Sequence, residues 1–270
     1  MKRMDHIWTD TDKWFFKINP ALKFTGIASL FIVYLFVQNL NTMIWATLIF
    51  TVIYLCVGGF SARFSFWFIL FTFIVSFFSA SAIIFFSEGN QVLFRWGLVS
   101  ISVESLTKGV LLGLRSFTFS MIGLIFASTT EPVRFFYSLM QQLRMPVRYA
   151  YGCLAAFRML PMMGEEFIHI RQAMKVRGMT NQKGVRAVYE RMKRYALTML
   201  VQSIRRAQRT AVAMEAKRFS LKGKRTFYYE IGWSRYDVIF AIILVVAVGS
   251  GFFFSQWLPL TPYTDVMEGY

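Results

Sequence analysis

Five runs of mostly apolar residues, at 21–37, 43–60, 64–86, 106–127 and 238–258, decide what this chain can fold into. Each approaches the roughly 20 residues with which a helix crosses the hydrocarbon core of a bilayer. They are long and continuous, and they lack the period-two alternation of strands, so they predict helices. Lys23 stands close enough to the start of the first run to snorkel. The chain is 56% hydrophobic and 16% charged, well below the quarter of charged residues usual in a soluble domain. A soluble nucleic-acid coat and a disordered basic tail are both disfavoured by these runs and by the 30 Phe, 12 Tyr and 7 Trp.

The formal net charge of +16 is unevenly placed. Residues 129–236 hold 21 Lys and Arg against 6 Asp and Glu, and the rest of the chain is nearly neutral. The positive-inside rule then puts the N-terminus, Arg63 and 129–236 in the cytoplasm and the C-terminus outside, a parity that five crossings satisfy. The predicted organisation is an all-α integral membrane protein. Residues 1–128 carry the first four spans, 129–236 form a basic cytoplasmic module of amphipathic helices, and 237–270 carry the last span and a short outer tail. The 15-residue stretch 149–163 is short, contains Arg158 and Pro161, and has basic residues on both sides, so it reads as a helix buried in protein or lying at the inner interface. Residues 87–104 read as an aromatic-rich element at the outer interface.

Several chemistries are disfavoured. Cys56 and Cys153 are isolated, and His6 and His169 stand far apart without a ligand-spaced partner, so neither a disulfide framework nor a metal site is expected. Gly223-Lys224-Arg225 lacks the first glycine and the hydroxyl of a P-loop, so the chain is not expected to hydrolyse ATP. The apolar runs hold essentially no Asp or Glu that could serve an intramembrane enzyme. Residues 1–20 are polar and charged, unlike a secretory signal, and the first run is expected to stay as an anchor.

Helical periodicity is plain in the basic segment. Phe167, Ile170 and Met174 share one face, and Leu197, Leu200, Ile204, Ala207, Ala211 and Met214 recur in steps of three and four. Ala173-Met174-Lys175-Val176-Arg177-Gly178-Met179 aligns with Ala213-Met214-Glu215-Ala216-Lys217-Arg218-Phe219, forty positions on. Each copy ends an amphipathic helix, the first with Gly178 suited to a left-handed cap and the second before Gly223. A cation in a last turn satisfies the helix dipole. Two similar tips would also suit one chain gripping two related subunits. Arg115, inside the fourth run, needs a partner, either a structural tie to backbone carbonyls or an acidic group on another component. Gly109 and Gly113 make a GxxxG step on the same helix, read chiefly as core packing.

These residues resemble the transmembrane (T) component of energy-coupling factor (ECF) transporters for vitamins and metals, over nearly the whole chain. Asn19-Pro20-Ala21-Leu22-Lys23 is similar to the family's entry to its first span. Thr129-Thr130-Glu131-Pro132 and Arg144-Met145-Pro146 resemble the regions after the fourth, the latter its Leu/Gly-x-Pro turn. Phe157-Arg158-Met159-Leu160-Pro161 with Glu165 and Glu166 resembles its Arg-Phe-x-Pro…Glu segment. The two Ala-Arg-Gly signatures correspond to Val176-Arg177-Gly178 and to Ala216-Lys217-Arg218, the latter within Ala-Met-Glu-Ala with Glu215. The resemblance implies a non-enzymatic coupling subunit without a cofactor of its own, since ATP is bound by its partners. It would join two cytoplasmic ABC-type ATPases to a small membrane substrate-binding S component, the motif cations meeting acidic grooves of the ATPases. In the second signature either Lys217 stands for the arginine or Arg218 does so in a shifted register. The rival from residues alone is an autonomous membrane protein whose basic module binds anionic lipid or RNA.

Overall fold

A computed structural model describes residues 14–59, 61–87, 92–96, 99–178, 184–219, 227 and 231–261. His6 and the Gly223-Lys224-Arg225 stretch lie outside these. The chain divides into two compact units, Met1–Glu131 with Ile231–Tyr270, and Pro132–Glu230.

The first unit is built on α1 (Pro20–Phe36), α2 (Leu40–Val57), α3 (Ala62–Phe86), α4 (Val103–Thr129) and α8 (Arg235–Trp257). Polar side chains at the edges of the apolar runs cap the starts of α1, α2, α4 and α8. The Asn19 side chain accepts from the Ala21 N–H ahead of Pro20 at the first helical position, and Asn39 accepts from Asn41 and Thr42. Ser102 with Ser105, and Ser234 with Asp237, exchange reciprocal bonds at the starts of α4 and α8. Four of the five helices are long and apolar enough to cross a membrane, and α1, with 17 residues, falls just short. At 1.5 Å per residue α1 spans about 26 Å, against a hydrocarbon core of about 30 Å.

Tyr34, Met43, Phe50, Tyr54, Met121, Ile122 and Phe240 centre the core of this unit, drawn from α1, α2, α4 and α8. Hydroxyl pairs tie the helices where no water could serve: Thr47 with Thr118 at 2.8 Å, and Thr42 donating to Ser255 at 2.9 Å. Gly109 and Gly113 both face α3, where a Cβ on Gly109 would come within 2.9 Å of the Ala80 carbonyl. The GxxxG step is therefore helix packing within the chain. Otherwise α3 buries only Thr72 and Ser76 and turns its phenylalanines outward.

Arg115 finds its partner here. Its guanidinium donates to the carbonyl of Val37, the C-cap of α1, at 2.6 Å. Lys23 of α1 donates in turn to the carbonyl of Thr129, the last residue of α4, at 2.9 Å, with its ammonium 4.8 Å from the Phe15 ring centroid. Each helix thus sends a cation to the carbonyl end of the other, where helical geometry leaves acceptors unfilled.

The segment read as an interfacial element contains an antiparallel pair, β1 (Val92–Trp96) and β2 (Val99–Ser102), with Phe94 opposite Ile101 and a register shift between Val92 and Phe94. The β-branched and aromatic residues of this segment account for the short hairpin in an otherwise helical protein.

The second unit holds α5 (Pro132–Gln142), α6 (Val147–Val176) and α7 (Val185–Ala216). The stretch 149–163 is not a separate helix. It is the first half of α6, which runs through Pro161, although that residue has no N–H to offer the Phe157 carbonyl. Ala150 is the buried residue of that half, so the stretch is not a helix buried within its own unit. Phe136 packs on Phe157 at 5.4 Å and joins α5 to α6.

Candidate coupling tips

The inward faces of α6 and α7 fix the geometry of the tips. On α6 the stripe behaves as its periodicity predicts, with Ile170 buried and Phe167 and Met174 half-buried. On α7 the apolar stripe turns away from the unit: Leu197, Leu200 and Ile204 are each at least half exposed. The contacts with α6 are made instead by Tyr195 and Arg206, and Met214 at the end of the stripe is half-buried. Tyr195 is buried against Phe167 with ring centroids 5.7 Å apart. Arg206 donates to Glu166 at 2.8 Å, both side chains being part-buried.

Beyond these contacts the helices end alike. Arg177 caps α6 with φ −75° and ψ 6°, and Lys217 caps α7 with φ −85° and ψ 11°. The Arg177 N–H donates to Ala173 and the Gly178 N–H to Lys175; the Lys217 N–H donates to Ala213 and the Arg218 N–H to Glu215. The next residue has a left-handed backbone in both, Gly178 at φ +72° and Arg218 at φ +52°. In α7 the Phe219 N–H closes on Met214, which completes a Schellman cap. The backbone thus decides the register between the two signatures: Lys217 is the counterpart of Arg177, and Arg218 stands where the first tip has glycine. The second helix stops at Lys217 and Arg218, ahead of Gly223 in sequence, as expected.

Val176, at 90% exposure, Arg177, Gly178, Ala216, Lys217, Arg218 and Glu215 all face solvent in this unit, as do Arg158 and Glu165. Pro161 lies inside α6, Glu166 is held by Arg206, and Arg115 belongs to the other unit. Two basic residues that periodicity did not single out complete the first tip. Arg191 and Arg194 of α7 join Arg177, Gly178, Glu190 and Tyr195 around a cleft of about 320 Å³. A second recess of about 340 Å³ is lined by Arg171, Lys175, Arg191 and Tyr195. Their signal was the i, i+4, i+7, i+8 spacing of Ala187, Arg191, Arg194 and Tyr195, which the apolar stripe overshadowed. Arginines lining one recess suit carboxylate or phosphate groups. The second tip carries Arg205 and Arg209 on an open face with Val212 and Ala216.

A sequence model of the cobalt transport protein family, CbiQ, matches residues 11–229. The chain belongs to that family. It is 32% identical over 185 residues to the energy-coupling factor transporter transmembrane protein EcfT of Limosilactobacillus fermentum, covering 65% of this chain and 68% of the relative. The EcfT of Bacillus subtilis is 27% identical over 69% of this chain and 71% of its own. The EcfT of Ruminiclostridium cellulolyticum is 26% identical over 88% and 90%. The resemblance to the ECF T component therefore holds, and with its apolar helices the chain is a multi-pass membrane protein.

Proposed function

We propose that the chain is the non-enzymatic coupling subunit of an ATP-driven uptake transporter, passing conformational change from two cytoplasmic ATPases to a membrane substrate-binding S component. The observation that carries this reading is the pair of similarly built helix caps, each presenting a cation at its end: Arg177 before a glycine, and Lys217 before an arginine. One chain with two such ends suits two related acidic grooves. Residues 129–236 form the cytoplasmic coupling module in this reading, with five crossings, the N-terminus inside and the C-terminus outside. ATP is bound and hydrolysed by the partners, and the chain needs no cofactor. The outward apolar stripe of α7, Leu197, Leu200 and Ile204, suits a hydrophobic partner such as the S component or the bilayer surface.

Affinity purification of the tagged chain from its native membranes tests this. The reading expects two ATPase polypeptides with Walker motifs and a small hydrophobic protein in the eluate. Elution of the chain with only lipid or nucleic acid would favour the autonomous alternative.

A further inference from the structure

Glu166 and Arg206 are forty residues apart, the same offset that separates the two tip motifs, so they are the same position of the repeat. Each also stands eleven residues before its helix's cap, Arg177 or Lys217, which is about 16 Å of helix at 1.5 Å per residue. The ion pair that joins α6 to α7 therefore links the two copies of the repeat through their own counterpart positions. Where two equivalent segments are related by a two-fold axis, residue i meets j and j meets i, and a residue lying on the axis meets its own counterpart. Identical residues there would set Glu against Glu or Arg against Arg. The chain has one of each, and the contact is attractive. Phe167, beside Glu166, packs on Tyr195 and not on its own counterpart, Ala207, so the self-counterpart contact is confined to the ion pair.

We propose that Glu166 and Arg206 are a positioning pair: they fix the point at which the two arms cross, and so hold the two tips at equal reach for two grooves related by an approximate two-fold axis. This rests on the coupling reading. With Glu166 at 21% and Arg206 at 30% exposure, the pair is a modest source of stability. Its distinctive property is register. Slippage of one helix by a turn would change the length of its own arm by about 5 Å and leave the other unchanged, so that the two tips no longer reach equally.

The test uses the full chain in lipid nanodiscs, with Cys56→Ala and Cys153→Ala, and spin labels on Gln172→Cys and Val212→Cys, two exposed counterpart positions. Glu166→Arg and Arg206→Glu should each shift the label-to-label distance by about 5 Å, or broaden it to that width. The exchange variant Glu166→Arg with Arg206→Glu should restore the original distribution, which a variant that merely misfolds would not do. A distribution unmoved by either reversal, or one that the exchange leaves displaced, overturns the proposal. Capture of the ATPases is read in the same samples. Capture that survives both the reversals and loss of the tip cations counts against the coupling reading, whatever the distances show.

Discussion

Lys217 takes in α7 the place that Arg177 takes in α6: both cap their helix with nearly the same backbone angles, and both are followed by a left-handed residue. The two differ in head group. A guanidinium offers a carboxylate a bidentate fork, whereas an ammonium is a point charge. Lys217→Arg is therefore expected to strengthen ATPase capture. Arg177→Lys is expected to weaken it by several-fold, a bidentate contact exceeding a single charge-assisted bond by about 1 kcal/mol. Titrating the purified chain with the ATPase subunits measures both.

Arg218 holds a left-handed conformation that costs a side-chain-bearing residue about 1–2 kcal/mol. Arg218→Gly should keep the cap and leave membrane insertion and thermal stability close to those of the parent. Arg218→Val should fray the end of α7, since a β-branched residue fits this conformation worst. Hydrogen exchange at the Arg218 and Phe219 amides distinguishes the two. Arg144, also at φ +52°, occupies the first place of the turn that resembles Leu/Gly-x-Pro, and Arg144→Gly should be equally benign.

In the membrane unit, Lys23→Met and Arg115→Met each leave a helix-end carbonyl, Thr129 or Val37, without its cation. An unfilled buried acceptor costs about 1–3 kcal/mol. The two contacts lie fourteen residues apart along either helix, roughly 21 Å, so their losses should add within about 0.5 kcal/mol. Thermal unfolding in detergent of the single and double variants checks this. Neither change should alter ATPase capture, because Arg115 ties α4 to α1 within the chain.

Asp237, 2% exposed, accepts from the Asn19 and Ser234 N–H groups at 2.8 Å each, so it fastens the start of α8 to the entry of α1. Asp237→Ala should destabilise the unit by about 2 kcal/mol, the cost of two bonds to a charged acceptor less what water recovers. Asp237→Asn should cost less, because one oxygen still accepts. The same unfolding assay separates them.

The membrane helices were legible because their signal is local: length, continuity and Asn, Pro or Ser at the edges mark α1, α2, α4 and α8 within a residue or a few. The tip motifs were legible as a repeat, but the counterpart of Arg177 was not, since choosing between Lys217 and Arg218 needs backbone angles. The inner face of α7 was hidden for a different reason. Much of its apolar stripe points outward, and the contact with α6 includes Arg206, whose long stem and ion pair with Glu166 satisfy a contact that hydropathy does not score. The bond from Arg115 to Val37 joins positions far apart in sequence, and the β1–β2 hairpin interrupts a chain otherwise governed by helical periodicity.

The coupling reading is tested most directly by removing the tip charges together. Arg177→Ala with Lys217→Ala and Arg218→Ala, expressed with the ATPase subunits, should insert in the membrane as the parent does while the ATPases no longer co-purify with it. Undiminished co-purification from that triple variant would contradict the account.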